Sequence, residues 1–137
     1  MGAGAGAGDR APLAPGRGPG WAKLAEAVAR HVPPSEIETI YLFRPWKREG
    51  REWGTAVVAC RAGEAGGRLR VYTARYMLVV RGKERGQSRV TVEETALSPA
   101  AVIEQVMLAA AERSGDPDPP VAIAPAAWYE GQEEVNG

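Results

Sequence analysis

The chain has 137 residues, 17 basic and 17 acidic side chains, one cysteine and one histidine. This length is typical of a single domain, and a lone cysteine excludes an internal disulfide. One histidine and one cysteine cannot form a His- and Cys-rich zinc site, and no apolar run is long enough to span a bilayer. We therefore expect a protein with no metal, no cofactor and no membrane segment.

Both ends of the chain have compositions that are typical of segments outside a hydrophobic core. Residues 1–20 contain seven Gly, five Ala and three Pro, and residues 115–137 contain four Pro, five acidic residues and no Lys or Arg. Such segments have too little apolar surface to offset chain entropy. We predict a disordered arm over 1–19, a single domain over 20–114 and a Pro-rich acidic tail over 115–137.

The start of the chain lacks the apolar stretch of a secretory signal. Because the one cysteine, Cys60, has no partner with which to form a structural disulfide, the sequence also fits a reducing compartment. We therefore expect a cytoplasmic location.

The first predicted element is a helix that begins at residue 20. Trp21, Leu24, Val28 and Val32 recur at spacings of three and four, which places them on one side of a helix. The prolines at positions 33 and 34 end it, because proline cannot continue a helix. Four runs rich in β-branched and aromatic residues follow and predict strands over residues 37–43, 53–61, 69–81 and 89–96.

A second helix is predicted over residues 99–114. Ser98 can cap the amides of its first turn, and Pro99 suits the first helical position. Its apolar side includes Val106 and Met107, which we expect in the core. Strands that follow one another through short turns form an antiparallel meander. The sequence thus predicts an α+β fold, in which a four-stranded antiparallel meander sheet carries an N-terminal and a C-terminal helix on one face.

The third predicted strand distinguishes the two faces of the sheet. One side carries Tyr72, Ala74, Tyr76 and Leu78, has no charge, and is assigned to the core beneath both helices. The other side is mixed, with Val71, Thr73, Arg75, Met77 and Val79 at alternating positions. A half-apolar sheet face without a helix usually has a partner. We expect this face to be open and to bind the tail, a second copy or a ligand.

Positive charge is concentrated in the middle of the chain. Twelve of the 17 Lys and Arg residues lie between Arg44 and Arg89, together with only four acidic residues, which gives this span a net charge of +8. Within it, Trp46 and Trp53 bracket a loop rich in cations. Stacking rings beside cations are a feature of single-strand nucleic-acid binders. The alternative interpretation, without a ligand, is that these side chains form cross-strand ion pairs on a solvated face of the sheet.

No catalytic constellation is found. His31 lies near the end of the first helix, and Cys60 falls in a strand that is predicted to be buried, where a thiol behaves as an inert apolar group. Glu93 and Glu94 are neighbours in a strand and point to opposite faces, so they cannot share a site. The sequence therefore predicts a protein that is not an enzyme.

The predicted tail contains Val121 and Ile123, which could add a short strand or cover the open face, and Trp128, which could anchor the acidic end to a basic surface. We expect a non-catalytic association module that acts as a homodimer or binds a protein partner through the open face. Single-stranded nucleic acid is the alternative ligand. The predicted binding residues are Trp46, Lys47, Arg48, Arg51, Trp53, Thr73, Arg75 and Met77.

Overall fold

A computed structural model describes residues 16–61, 70–96, 104, 107–108 and 120–136. In chain order the elements are α1 (Pro19–His31), a 3₁₀ turn (Pro34–Glu36), β1 (Ile37–Leu42), β2 (Trp46–Arg48), β3 (Arg51–Cys60), β4 (Val71–Val79), β5 (Ser88–Ala96), β6 (Val121–Ile123) and α2 (Pro125–Asn136). Residues 1–15 of the predicted arm lie outside the described residues. So does the predicted helix over 99–114, apart from Glu104, Met107 and Leu108, which have helical backbone.

The strands form one antiparallel sheet in the order β5-β4-β3-β1-β6, and β2 pairs with β3 beside β1. The predicted α+β class is confirmed, but the predicted number of four strands is wrong, because the sheet has six. One extra strand, β2, comes from the segment interpreted as a loop. The other, β6, comes from the predicted tail and pairs with β1.

Strand β2 forms because the chain reverses over two residues. Glu49 and Gly50 have φ values of 54° and 80°. Two successive positive φ values are typical of the hairpin turn whose twist matches that of the flanking strands. Arg48 therefore pairs with Arg51, and Trp46 pairs with Trp53.

Helix α1 packs on the face of the sheet that was predicted to form the core. Trp21, Leu24 and Val28 are buried against the side that carries Tyr72 and Tyr76, as predicted. The Trp21 and Tyr76 rings meet edge to face, with centroids 5.1 Å apart. Burial of these rings and aliphatic side chains is the main stabilising contribution to the fold.

Helix α2 completes the same core from the predicted tail. Trp128 is 1% exposed and belongs to the hydrophobic cluster of α1 and the sheet. Its Nε1 donates a hydrogen bond to the Gly16 carbonyl at 3.2 Å, and Gln132 Nε2 donates to the same oxygen. The core therefore extends beyond residue 114, where we had placed its end. A tryptophan outweighs the polar composition around it because it buries a large apolar area.

The opposite face of the sheet is less open than predicted. Thr55, Val57, Val71 and Thr73 are each no more than 2% exposed, and Val79 is 8% exposed. The expectation of an open face is therefore wrong over most of β3 and β4.

Met107, predicted to lie in the core, is 66% exposed. The prediction for this side chain is therefore wrong. The spacing of apolar residues indicates which side of a helix is apolar, but it does not determine whether a given residue on that side meets the sheet.

Candidate binding surface

One end of the face opposite α1 remains accessible, and most of the predicted binding residues lie there. Three strands place Trp46, Trp53 and Met77 side by side, and β5 adds Arg89 to this row. The next row contains Arg48 opposite Arg51. Residues that pair directly, or that lie two apart in one strand, project from the same face. We call Trp46, Arg48, Arg51, Trp53, Arg75, Met77 and Arg89 the tryptophan–arginine surface.

The two tryptophans form a stacked pair at the edge of the sheet. The centroids of Trp46 and Trp53 are 5.7 Å apart, and their planes differ by 19°. Both side chains are partly exposed. Within the described part of the chain, β2 pairs with β3 alone, so Trp46 stands on the last strand at this end. Because Trp46 is partly exposed, the accessible part of its ring can stack with a further planar group.

Next to the tryptophans, two cations lie directly opposite each other. Arg48 and Arg51 form the pair that closes the two-residue turn, and both are exposed. The Arg48 guanidinium lies 4.0 Å from the Glu49 carboxylate, with both side chains more than three quarters exposed. Such an exposed ion pair contributes little to the stability of the fold, whereas like charges directly opposite each other destabilise a sheet. An anion bound between the two guanidinium groups would remove this repulsion.

The tryptophan–arginine surface is bounded on its other side by an ion pair. Arg75 lies opposite Thr55 and Thr91, and its Nη1 is 3.6 Å from Glu93 Oε2. The Arg75 side chain is 36% exposed and the Glu93 side chain is 65% exposed. Arg75 is therefore already partnered, and Arg48, Arg51 and Arg89 are the more available cations.

The turn between β4 and β5 adds positive charge at the same end. The amide of Val80 donates to the Gly50 carbonyl at 2.8 Å, which brings this turn beside the β2–β3 turn. Arg81, Lys83 and Arg85 are exposed in it, together with Glu84. The region around the two turns is consequently basic, and a field of one sign attracts an anionic ligand from a distance.

Two of the predicted binding residues do not belong to this surface. Lys47 pairs with Glu52 and projects from the face that carries α1. Thr73 is 2% exposed and cannot contact a ligand in this state. Conversely, Arg89 was missed, because the register between β4 and β5 brings it beside Met77. Alternation along β5 would have restricted Arg89 to one of two faces, but not to this row.

The cysteine, the histidine and the most buried tyrosine of the described chain are buried or hydrogen-bonded. Cys60 is buried, and burial raises the pKa of its thiol. The Tyr76 hydroxyl donates to the Glu52 carboxylate, and burial is the main cause of the raised pKa of Tyr76. His31 is exposed, with Nδ1 3.2 Å from the Ala27 carbonyl oxygen. Among the described residues, no three His, Cys, Asp or Glu side chains are grouped as metal ligands would be.

Of the helices in the described ranges, none is both long enough and apolar enough to cross a membrane. Comparison of the chain with protein-family models, with curated proteins and with solved structures finds no match in any of the three. The function is therefore inferred from the geometry of the tryptophan–arginine surface.

Proposed function

We propose that the protein is a non-catalytic binding protein whose ligand is single-stranded nucleic acid. The observation that carries this proposal is the position of the opposed Arg48 and Arg51 beside the stacked Trp46–Trp53 pair. Unpaired bases stack on aromatic rings whatever their sequence, and arginines bind the phosphates between them. A double helix does not offer this combination, because its bases are already stacked.

We place nucleic-acid binding above partner binding because of the burial of the sheet face. Partner binding across the whole face required an open apolar area, and Thr55, Val57 and Thr73 are buried. What remains exposed is aromatic and cationic. In strands separated by about 5 Å, the ring of Trp46 and the guanidinium groups of Arg48 and Arg51 span roughly one nucleotide.

The test is the binding of a fluorescently labelled oligothymidylate of fifteen nucleotides, followed by anisotropy from low to moderate salt. We expect the affinity to fall as salt rises, with a log–log slope of about −2 to −3 if three or four phosphates are neutralised. Trp46→Ala and Arg51→Ala should each weaken binding about tenfold or more. Tryptophan fluorescence should be quenched on binding.

Lys47→Ala supplies the matched control. Lys47 is an exposed cation on the same strand as Trp46 and Arg48, but it projects from the other face. Lys47→Ala should therefore change the affinity for the oligonucleotide far less than Arg48→Ala does. A flat salt response, or equal losses for Lys47→Ala and Arg48→Ala, would contradict binding at this surface.

The second candidate is a protein partner at the same surface, and the observation in its favour is Met77. This partly exposed side chain lies beside Trp53 in the same row. Tryptophan, methionine and arginine are enriched at protein interfaces, and a few such residues provide most of the binding energy. If the ligand is a protein, an acidic, aromatic peptide should bind and the oligonucleotide should not. Binding of the peptide should require Met77 and Trp53.

A further inference from the structure

The two edges of the sheet differ in how they are protected. Strand β6 has only three residues and is bounded by Pro120 and Pro125. Strand β5 has nine residues, contains no proline, and pairs only with β4 in the described part of the chain. A long edge strand presents unpaired N–H and C=O groups, and natural proteins usually shorten or cover such an edge. Within the described ranges no strand pairs with the outer edge of β5, and another strand can add there.

The hydrogen bonds of the β4–β5 turn show which β5 groups point outwards. The Val79 amide donates to the Gln87 carbonyl at 2.8 Å. Because the direction of backbone groups alternates along a strand, Arg89, Thr91 and Glu93 direct their N–H and C=O groups towards β4. Val90 and Val92 direct theirs towards the outer edge.

We propose that β5 pairs with β5 of a second copy, antiparallel and centred on Thr91. In this register Val90 and Val92 of one copy exchange backbone hydrogen bonds with Val92 and Val90 of the other. Thr91 faces its own counterpart at the two-fold axis. The two six-stranded sheets then become one continuous sheet, and a two-fold symmetric pairing of this kind closes without forming fibres.

Charge complementarity selects this register. Centred on Thr91, Arg89 of each copy lies opposite Glu93 of the other, which gives two cross-strand ion pairs. A pairing centred on Arg89 or on Glu93 would place like charges opposite each other. Pairings centred on Val90 or Val92 leave Arg89 and Glu93 without their complement. Opposite charges across strands stabilise a sheet and like charges destabilise it.

The side chains of this pair are available for such contacts. Arg89 is exposed and has no ion pair within the described ranges, whereas Glu93 is 65% exposed despite its contact with Arg75. Glu93 can therefore accept a second arginine. Val90 and Val92 are only partly buried against the core and would gain cover from the second copy.

The dimer does not depend on the proposed ligand, but it changes how a ligand would be bound. Residues that lie directly opposite in a sheet project from the same face. Both tryptophan–arginine surfaces would therefore face the same side of the continuous sheet. A long single strand could contact both, which would increase its affinity over that of a short one.

The first experiment is cysteine crosslinking of the full chain. Thr91→Cys places a thiol at the two-fold axis in a non-hydrogen-bonded pair, where Cα atoms are about 4.5 Å apart, within the range for a disulfide. We expect mild oxidation to give a covalent dimer. Ser88→Cys is the matched control, because Ser88 is also exposed on β5 but would lie opposite Glu94. The native Cys60 is buried and should not interfere.

The second experiment is sedimentation equilibrium from micromolar to millimolar protein. Arg89→Glu and Glu93→Arg should each weaken the dimer about tenfold, and the two changes together should restore it, because the opposed charges are exchanged. A monomer at every concentration, or equal crosslinking of Thr91→Cys and Ser88→Cys, would overturn the proposal. Single reversals that leave association unchanged would overturn the register.

Discussion

Trp128 Nε1 donates a hydrogen bond at 3.2 Å to the carbonyl of Gly16, a residue 112 positions earlier in the chain. This contact joins the two ends of the described structure beneath α2. The indole also fills the core next to the sheet. Removal of the indole should leave a cavity in the core and should deprive the Gly16 carbonyl of one hydrogen bond.

We expect Trp128→Ala to lower the free energy of unfolding by about 3–5 kcal/mol, which is the usual cost of truncating a buried tryptophan. Urea denaturation measures it. Trp46→Ala is the matched control, since Trp46 is partly exposed, and it should cost much less. Equal costs would show that residues 125–136 are not part of the core.

Gly54→Ala should be among the most destabilising substitutions of a small residue. A Cβ at Gly54 would lie 2.1 Å from Cε2 of the buried Tyr76 ring, which is itself packed against Gly20 on its other side. Overpacking of this kind costs about 1–3 kcal/mol or more. Gly131→Ala is the control, because there the Cβ meets the flexible end of Arg17 at 3.2 Å. It should be neutral or stabilising in thermal unfolding, since alanine favours a helix.

Stability should fall at alkaline pH because of buried phenols. Burial raises the pKa of Tyr129 from 10.0 to about 12, and the pKa of Tyr76 is also raised. Between pH 10 and about pH 12, the unfolded chain releases the Tyr129 proton while the folded protein retains it. The contribution is therefore fully present below pH 10 and is lost as the pH rises towards 12.

Urea denaturation between pH 9 and pH 11 tests this dependence. The free energy of unfolding should decrease with rising pH, and Tyr129→Phe should make the decrease shallower by up to about 1.4 kcal/mol per pH unit, which corresponds to one proton. Tyr41→Phe serves as the comparison, because Tyr41 lies on the other face of the sheet. If Tyr129→Phe and the unaltered protein show the same slope, the phenol is not buried in solution.

Glu49→Asn should stabilise the β2–β3 hairpin. Glu49 has a φ of 54°, a conformation that asparagine adopts more readily than glutamate, and Asn-Gly is the preferred sequence for this turn. The ion pair lost with Arg48 is exposed and contributes little. We expect the free energy of unfolding, measured by thermal denaturation, to rise by about 0.5–1 kcal/mol. A loss would show that Glu49 interacts more strongly with Arg48 than its exposure indicates.

Arg51→Thr should separate stability from binding. It removes the like-charge repulsion with Arg48 and introduces a residue that favours strands, so the free energy of unfolding should rise by a few tenths of a kcal/mol. Oligonucleotide affinity should fall at the same time. Lys47→Thr should behave differently, because Lys47 lies opposite Glu52 and its loss removes an attraction. Reduced stability in Arg51→Thr would contradict the repulsion.

Much of the fold could be predicted from local patterns. The apolar spacing of Trp21, Leu24 and Val28 identified α1 and its buried side, and alternation along β4 placed Tyr72 and Tyr76 in the core. The hairpin at Glu49 and Gly50 was missed, because Glu-Gly is not among the strong turn sequences and proline precedes β2.

The candidate site was predicted as a set of residues but not as a surface. Trp46, Arg48, Arg51 and Trp53 were named correctly as neighbours because they are close in sequence, although their contacts depend on the hairpin register. Arg89 joins them only through the pairing of β5 with β4.

The sequence by itself determined the α+β class, the side of α1 that is buried and the concentration of positive charge, because these depend on periodicity and composition. Only the tertiary structure decided that Trp128 belongs to the core, that Thr73 is buried and that Arg48 faces Arg51. The physical reason is that burial and cross-strand pairing are set by contacts between segments distant in the chain, and a local pattern holds no information about which segment will provide them.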